Sequence, residues 1–159
     1  MPDPLPRIGL GWDRHGLTAG RPCILGGIEI PNDVGPLGHS DADVLLHALT
    51  DAILGAAGLE DLGSLFPDDD PRWKGAASTR FLEEAMGLLA ERSLQVASAD
   101  MVLICDTPKL RPHRAAIREN LARLLRLEVD RVNLKGKTTE GGCSGSITAK
   151  AVVLLVDAG

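Results

Sequence analysis

Several clusters along the chain carry residues able to do chemistry. Asp13-Arg14-His15 follows a stretch, Arg7 to Trp12, that alternates apolar and small residues. Residues two apart in an extended chain point to the same side, so Asp13 and His15 can converge on one point. Asp43, His47 and Asp51 recur at i, i+4 and i+8 among Val44, Leu45, Leu46, Ala48, Leu49, Ala52 and Ile53. That spacing puts them on one face of a helix. A polar stripe on so apolar a helix reads as the wall of a cleft; it reads otherwise as a solvated stripe, or His47 as a satisfied core histidine. In the cleft reading, His47 joins Asp13 and His15. Two imidazoles and one carboxylate make a tetrahedral, zinc-type set with one position open, the arrangement of catalytic zinc.

The remaining clusters suit phosphate. Pro36-Leu37-Gly38-His39-Ser40 falls at the predicted start of that helix, where free N–H groups favour an anion and where Ser40 serves equally as a simple cap. Asp61-Leu62-Gly63 is followed by Phe66-Pro67-Asp68-Asp69-Asp70-Pro71, whose acids suit a hard cation or a solvated turn. Lys135 to Gly142 holds lysines and hydroxyls for a phosphate and Glu140 for a second cation, without the order of a Walker-type loop. A borderline metal site, a hard-cation candidate and several phosphate donors together fit phosphoryl transfer on a diphosphate.

These groups need a frame. Arg7 to Trp12 predicts a strand, and Cys23 to Ile30 a second extended stretch bent at Gly26-Gly27 and ended by Pro31. A helix runs from a Ser40 cap to about Ala57, with Gly58 as terminator. Glu60 to Pro71 is a loop. Ser78 is expected to cap a second helix that buries Phe81, Leu82, Ala85, Leu88 and Leu89. A strand follows over Ala99 to Cys105, a loop over Pro108 to Pro112, a helix over His113 to Leu125, and strands over Val132 to Thr138 and Ile147 to Val156. The order β-β-α-α-β-α-β-β predicts an α/β domain of α+β type, a mixed sheet with helices packed on one face. Residues 7–157 are read as that single domain and residues 1–6, rich in proline, as a disordered leader.

Composition narrows the function. The chain has 159 residues, 44% hydrophobic and 25% charged, which suits one domain with a real core. Acids outnumber bases 22 to 17, for a net charge of −5, and aromatics are 3% with no tyrosine. A polyanion-binding surface or a base-stacking platform is therefore not expected, so nucleic acid is excluded as a partner. No apolar run reaches the ~18 residues of a membrane span, and no signal-type segment opens the chain. The cysteines Cys23, Cys105 and Cys143 are odd in number and widely spaced. They predict reduced thiols and a cytoplasmic location.

At these clusters the chain resembles the 2-C-methyl-D-erythritol 2,4-cyclodiphosphate synthases of the non-mevalonate isoprenoid pathway. The resemblance is carried by Arg7-Ile8-Gly9 through His15, Gly26 to Pro31, His39-Ser40-Asp41-Ala42-Asp43 through Ala52, Asp61 to Pro71, Pro108 to His113 and Lys137 to Glu140. It implies a homotrimer with active sites between subunits. It implies a lyase that acts on 4-diphosphocytidyl-2-C-methyl-D-erythritol 2-phosphate, whose own 2-phosphate attacks the β-phosphorus and expels CMP.

The resemblance also implies roles for residues. Asp13, His15 and His47 match zinc ligands, and Glu140 the ligand of a second cation, Mg²⁺ or Mn²⁺. His39, with Ser40, matches residues at the erythritol and phosphate side, and Thr138 matches the threonine that steadies the transferring phosphate; His39 and Thr138 are read as the catalytic residues. Asp13, His15, Ser40, Asp61, Gly63, Phe66, Asp68, Asp70, Lys137 and Thr139 fall where the family holds the substrate. Cys105, Asp106, Thr107, Pro108, Lys109, Leu110 and Arg111 match the cytidine pocket, read mostly by backbone atoms. Asp51 is left as a structural or orienting residue. Lys137 stands where the family often has threonine, and the segment Gly141 to Ile147 is shorter than the family's. Residues alone leave two other readings: a metal-dependent nucleotide diphosphatase or phosphatase, and a non-catalytic cytidine-nucleotide module.

Overall fold

A computed structural model describes residues 5–159; most of the leader expected over residues 1–6 lies outside them. Strand β1 (Arg7–Ala19) runs well beyond Trp12. It continues because it has partners along its whole length. Arg7 to Gly16 pair antiparallel with strand β7 (Ser146–Asp157), and Leu17 to Ala19 pair with strand β4 (Val34–Pro36). Strand β5 (Leu94–Ile104) pairs antiparallel with β7 and parallel with β6 (Val132–Lys137). The five-stranded sheet has the order β4-β1-β7-β5-β6. Strands β2 (Cys23–Leu25) and β3 (Ile28–Ile30) form a separate hairpin. Its turn, Gly26-Gly27, has φ of +60° and +78°, the region a two-residue hairpin turn requires and glycine adopts freely.

The helices are α1 (Val44–Ala56), the single turn α2 (Leu62–Leu65), α3 (Ser78–Glu91) and α4 (Arg114–Leu125). The α/β fold with a mixed, mostly antiparallel sheet is as expected. The element order differs: four strands precede α1, and α2 sits inside the segment read as a loop. Strand β5 begins before Ala99 because a bulge between Val96 and Ser98 shifts the alternation of buried residues, which hides the period-2 pattern. Helix α1 is buried around nearly its whole circumference, as its even apolar composition requires. It lies against β1 so closely that backbone meets backbone. A Cβ on Gly9 would sit 1.9 Å from the Ala52 carbonyl oxygen, and one on Gly11 1.7 Å from that of Ala48. On its other face the described residues leave the sheet uncovered, with Ile8 73%, Leu10 71% and Trp12 54% exposed.

Two caps differ from expectation. Ser40 does not cap α1; its hydroxyl accepts from the Ala42 N–H at 3.1 Å. Asp43 is the cap, accepting from the Leu46 N–H at 3.1 Å, so it leaves the helix stripe it was assigned to. Ser78 is the first residue of α3 and makes no capping bond. No described helix is long and apolar enough to cross a membrane.

Asp43 is fully buried and also accepts the N–H groups of Gly26 (2.9 Å) and Gly27 (2.7 Å), which ties the β2–β3 turn to α1. Burial lifts its carboxyl and the three N–H donors oppose that, with a net rise from 3.8 to about 6. The folded chain thus holds this proton more tightly than the unfolded chain. The resulting stabilisation is present below the unfolded value and is lost as pH rises through about 6. Asp43→Asn turns an NH₂ toward one of the N–H donors and should cost about 1–3 kcal/mol. The wild-type advantage over that variant, read from denaturant melts, should shrink from acidic to neutral pH. An advantage that grows with pH would contradict the assignment.

Candidate active site

Asp13 and His15 project from the same side of β1, and α1 presents His47 to them. Asp13 Oδ2 lies 2.8 Å from His15 Nε2 and 3.1 Å from His47 Nδ1, and the two ring nitrogens are 3.4 Å apart. All three residues are half-buried. Burial works against the charge of Asp13, but hydrogen bonds to His15 and His47 and their attraction outweigh it and hold the carboxyl well below its ordinary range. His15 moves the other way: burial opposes its charge, yet Asp13 raises it above its ordinary value.

The far nitrogen of each ring is also engaged. His15 Nδ1 meets the Leu37 carbonyl at 2.7 Å, and His47 Nε2 faces the hydroxyls of Ser78 at 2.9 Å and Ser40 at 3.3 Å. A carbonyl only accepts, so His15 donates from Nδ1, and Nε2, which meets Asp13 on the inner side, is the nitrogen left to face a cation once it gives up its proton. Separations near 3 Å between inner atoms suit an ion with bonds of ~2.0–2.2 Å. The triad is thus built for a divalent cation.

The triad opens on a cleft of about 450 Å³, also lined by His39, Ser40, Asp61, Gly63 and Asp68. Phe66 lies behind it, in a pocket of about 30 Å³ shared with Trp73 and Phe81. Asp51 reaches the cleft too, and its carboxylate accepts the Leu62 N–H at 2.7 Å, which pins α2 at the rim. Asp61 caps α2 through the Ser64 N–H at 2.8 Å. Asp70 is placed differently: it caps the Pro71–Trp73 turn and pairs with Arg72 at 2.6 Å.

A second pocket, of about 270 Å³, lies where the loop after β5 meets the end of β6. Cys105, Pro108, Lys109, Leu110 and Arg111 line it with Lys137 and Thr138. It shares no lining residue with the metal cleft. Cys105 is buried, which pushes its thiol up to about 11 and leaves it unreactive. Two predicted pocket residues point their side chains elsewhere. Thr107 donates to Asn32 Oδ1 at 2.9 Å. The Asp106 carboxylate accepts both the N–H (3.0 Å) and the hydroxyl (2.7 Å) of Thr139, bonds that hold it below its ordinary range. Asp106 therefore fastens the 105–111 loop to the 138–140 loop, a link that a separation of 33 residues concealed. Glu140 is exposed and accepts from the Thr138 hydroxyl. Asp41 and Ser78, behind His47, were also missed, because nothing in their local sequence points to an imidazole 31 residues from Ser78.

A mixed sheet backed by helices, with an open Asp-His-His centre beside a polar cleft, defines a metal-binding α/β protein equipped for phosphate chemistry. The chain belongs to the YgbB family, whose model matches residues 6–156. A 2-C-methyl-D-erythritol 2,4-cyclodiphosphate synthase of Thermus thermophilus is 54% identical over 149 residues, 94% of this chain and 98% of the relative. The chloroplastic synthase of Arabidopsis thaliana is 51% identical over 154 residues, 94% of this chain and 67% of that protein. A solved structure of the synthase in a CDP-bound form superimposes with a TM-score of 0.90 at 53% identity, covering 94% of this chain and 99% of that one.

Proposed function

We propose that this chain is a phosphorus–oxygen lyase of the non-mevalonate isoprenoid pathway. It converts 4-diphosphocytidyl-2-C-methyl-D-erythritol 2-phosphate to 2-C-methyl-D-erythritol 2,4-cyclodiphosphate and CMP. An oxygen of the 2-phosphate forms a bond to the β-phosphorus, the bond from that phosphorus to the bridging oxygen breaks, and CMP leaves with the electron pair. The convergence of Asp13, His15 and His47 on one point beside a polar cleft is the observation that carries this reading.

The two imidazoles and one carboxylate suit zinc, and Glu140 suits a second, harder cation, Mg²⁺ or Mn²⁺. Bound there, the cations polarise the β-phosphate and neutralise charge on the diphosphate. The chain's own residues do the rest. Ser40 and the cleft residues Asp61, Gly63 and Asp68, with Phe66 behind, hold the erythritol part bent. His39 and Thr138 steady the transferring phosphate, with Lys137 and Thr139 at its side. Asp70 acts on the substrate only through the turn it caps. Backbone atoms of 105–111 hold the cytidine, and Lys109 faces its phosphate. No side chain serves as nucleophile. Holding both phosphates in place is worth up to ~7–11 kcal/mol in favourable intramolecular reactions.

In one chain the metal cleft and the nucleotide pocket are separate cavities. A cyclic homotrimer joins the cleft of one copy to the pocket of its neighbour. The uncovered face bearing Ile8, Leu10, Trp12 and Val152 offers the apolar surface such an assembly needs. A cytoplasmic location is in keeping with the free cysteines Cys23, Cys105 and Cys143. Phosphorus NMR of the diphosphocytidyl substrate, with and without chelator, tests the reading, together with the mass in solution. Cyclic diphosphate plus CMP, abolished by chelator, is expected at about three chain masses. Open-chain phosphate plus CMP would identify a diphosphatase instead, and binding without turnover a nucleotide module. Lys109→Ala should weaken CMP binding about tenfold, the loss of one charge-assisted contact of ~1.4 kcal/mol. An unchanged affinity by calorimetry would remove Lys109 from the pocket.

A further inference from the structure

We propose that Ser78 and Asp41 are positioning residues for the metal centre: they set His47 as the Nε2–H tautomer and so leave its Nδ1 lone pair for the ion. This rests on the metal reading above. Ser78 is fully buried. Its hydroxyl donates to Asp41 Oδ1, and its N–H donates to Asp41 Oδ2 at 3.0 Å. Asp41 Oδ1 also accepts the Asp43 N–H at 3.1 Å, so the carboxylate is held from two elements.

A serine hydroxyl carries one proton. With that proton on Asp41, Ser78 Oγ can only accept from His47 Nε2, which is 2.9 Å away. The neutral ring then carries its proton on Nε2, and Nδ1 presents a lone pair 3.1 Å from Asp13 Oδ2. The chain carboxylate–hydroxyl–imidazole does for His47 what the Leu37 carbonyl does for His15. Two lone pairs and a carboxylate oxygen then face one another, an arrangement that a divalent cation between them satisfies. Metal-ligating histidines commonly have such outer partners, and losing one costs ~10–100-fold in affinity. Ser40 Oγ, 3.3 Å from the same nitrogen, remains when Ser78 is changed and places the loss nearer the lower figure.

The direction of this chain can be reversed. Asp41→Asn presents an amide N–H to Ser78 Oγ, which sends the serine proton toward His47 Nε2 and the ring proton to Nδ1. The test uses ¹⁵N-histidine NMR of the metal-free protein, recorded at a pH where the His47 signals show one ring proton, and zinc affinity by chelator competition. Expected are an Nε2–H signal for His47 in the wild type, a ~10-fold loss of zinc affinity in Ser78→Ala with near-wild-type affinity in Ser78→Thr, and a larger loss with an Nδ1–H ring in Asp41→Asn. An Nδ1–H ring in the wild type overturns the proposal, and that measurement needs no variant to fold. Wild-type zinc affinity in Ser78→Ala overturns it as well. A wild-type protein that binds no divalent ion refutes the metal reading instead, while the tautomer still decides the relay.

Discussion

Replacing His47 with alanine should remove the metal and lower turnover by about 10³-fold or more while the fold survives. The remaining ligands, Asp13 and His15, sit on the same strand, and two donors do not make a tetrahedral site. Lewis-acid assistance is worth several kcal/mol, and each ~1.36 kcal/mol is tenfold in rate. The fold should hold because the imidazole packs only at the edge of the aromatic cluster, 6.0 Å from the Phe81 ring, and is itself half-buried. Its removal also takes away a partner of Asp13. Metal analysis and thermal melts check this. Stoichiometric zinc retained in the variant would mean that His47 is not a ligand.

Gly11→Ala should do more damage to the structure than any change in the cleft. The added methyl would meet the Ala48 carbonyl oxygen at 1.7 Å and the Ala52 backbone nitrogen at 2.7 Å. These are backbone atoms inside a helix, so neither can swing aside. Either α1 moves away from the sheet or β1 buckles, and both open the core that Leu45, Leu49 and Ile53 fill. Overpacking of side chains alone costs ~1–3 kcal/mol, so a clash of backbone should cost on the order of 3 kcal/mol or more. Because α1 carries His47 and β1 carries Asp13, even a variant that folds should bind metal weakly. Denaturant melts with zinc titration read both effects. A variant as stable as wild type would show that α1 does not seat on the β1 backbone.

The metal centre was legible in large part. Asp13 and His15 share a side of any strand, and His47 belongs to a polar stripe on an otherwise apolar helix, which marks a cleft wall. Local periodicity says that much, because it depends on backbone geometry alone. The cap of α1 was misplaced for a related reason. Ser40 and Asp43 are both good caps, and the choice between them was made by the Gly26 and Gly27 N–H groups, which need a buried acceptor. The early start of β5 was hidden by a bulge that shifts the alternation.

From the order of residues alone come the chemical types, their faces on strand and helix, and the family those motifs mark. Only the folded chain decided which of those residues meet. It gave the Asp106 side chain to Thr139, and Ser78 to Asp41 and His47 rather than to its own helix. Periodicity acts over a few residues, whereas a hydrogen bond between groups 31 or 33 positions apart depends on how sheet and helices pack. That packing is set here by two glycines which let one helix rest on one strand.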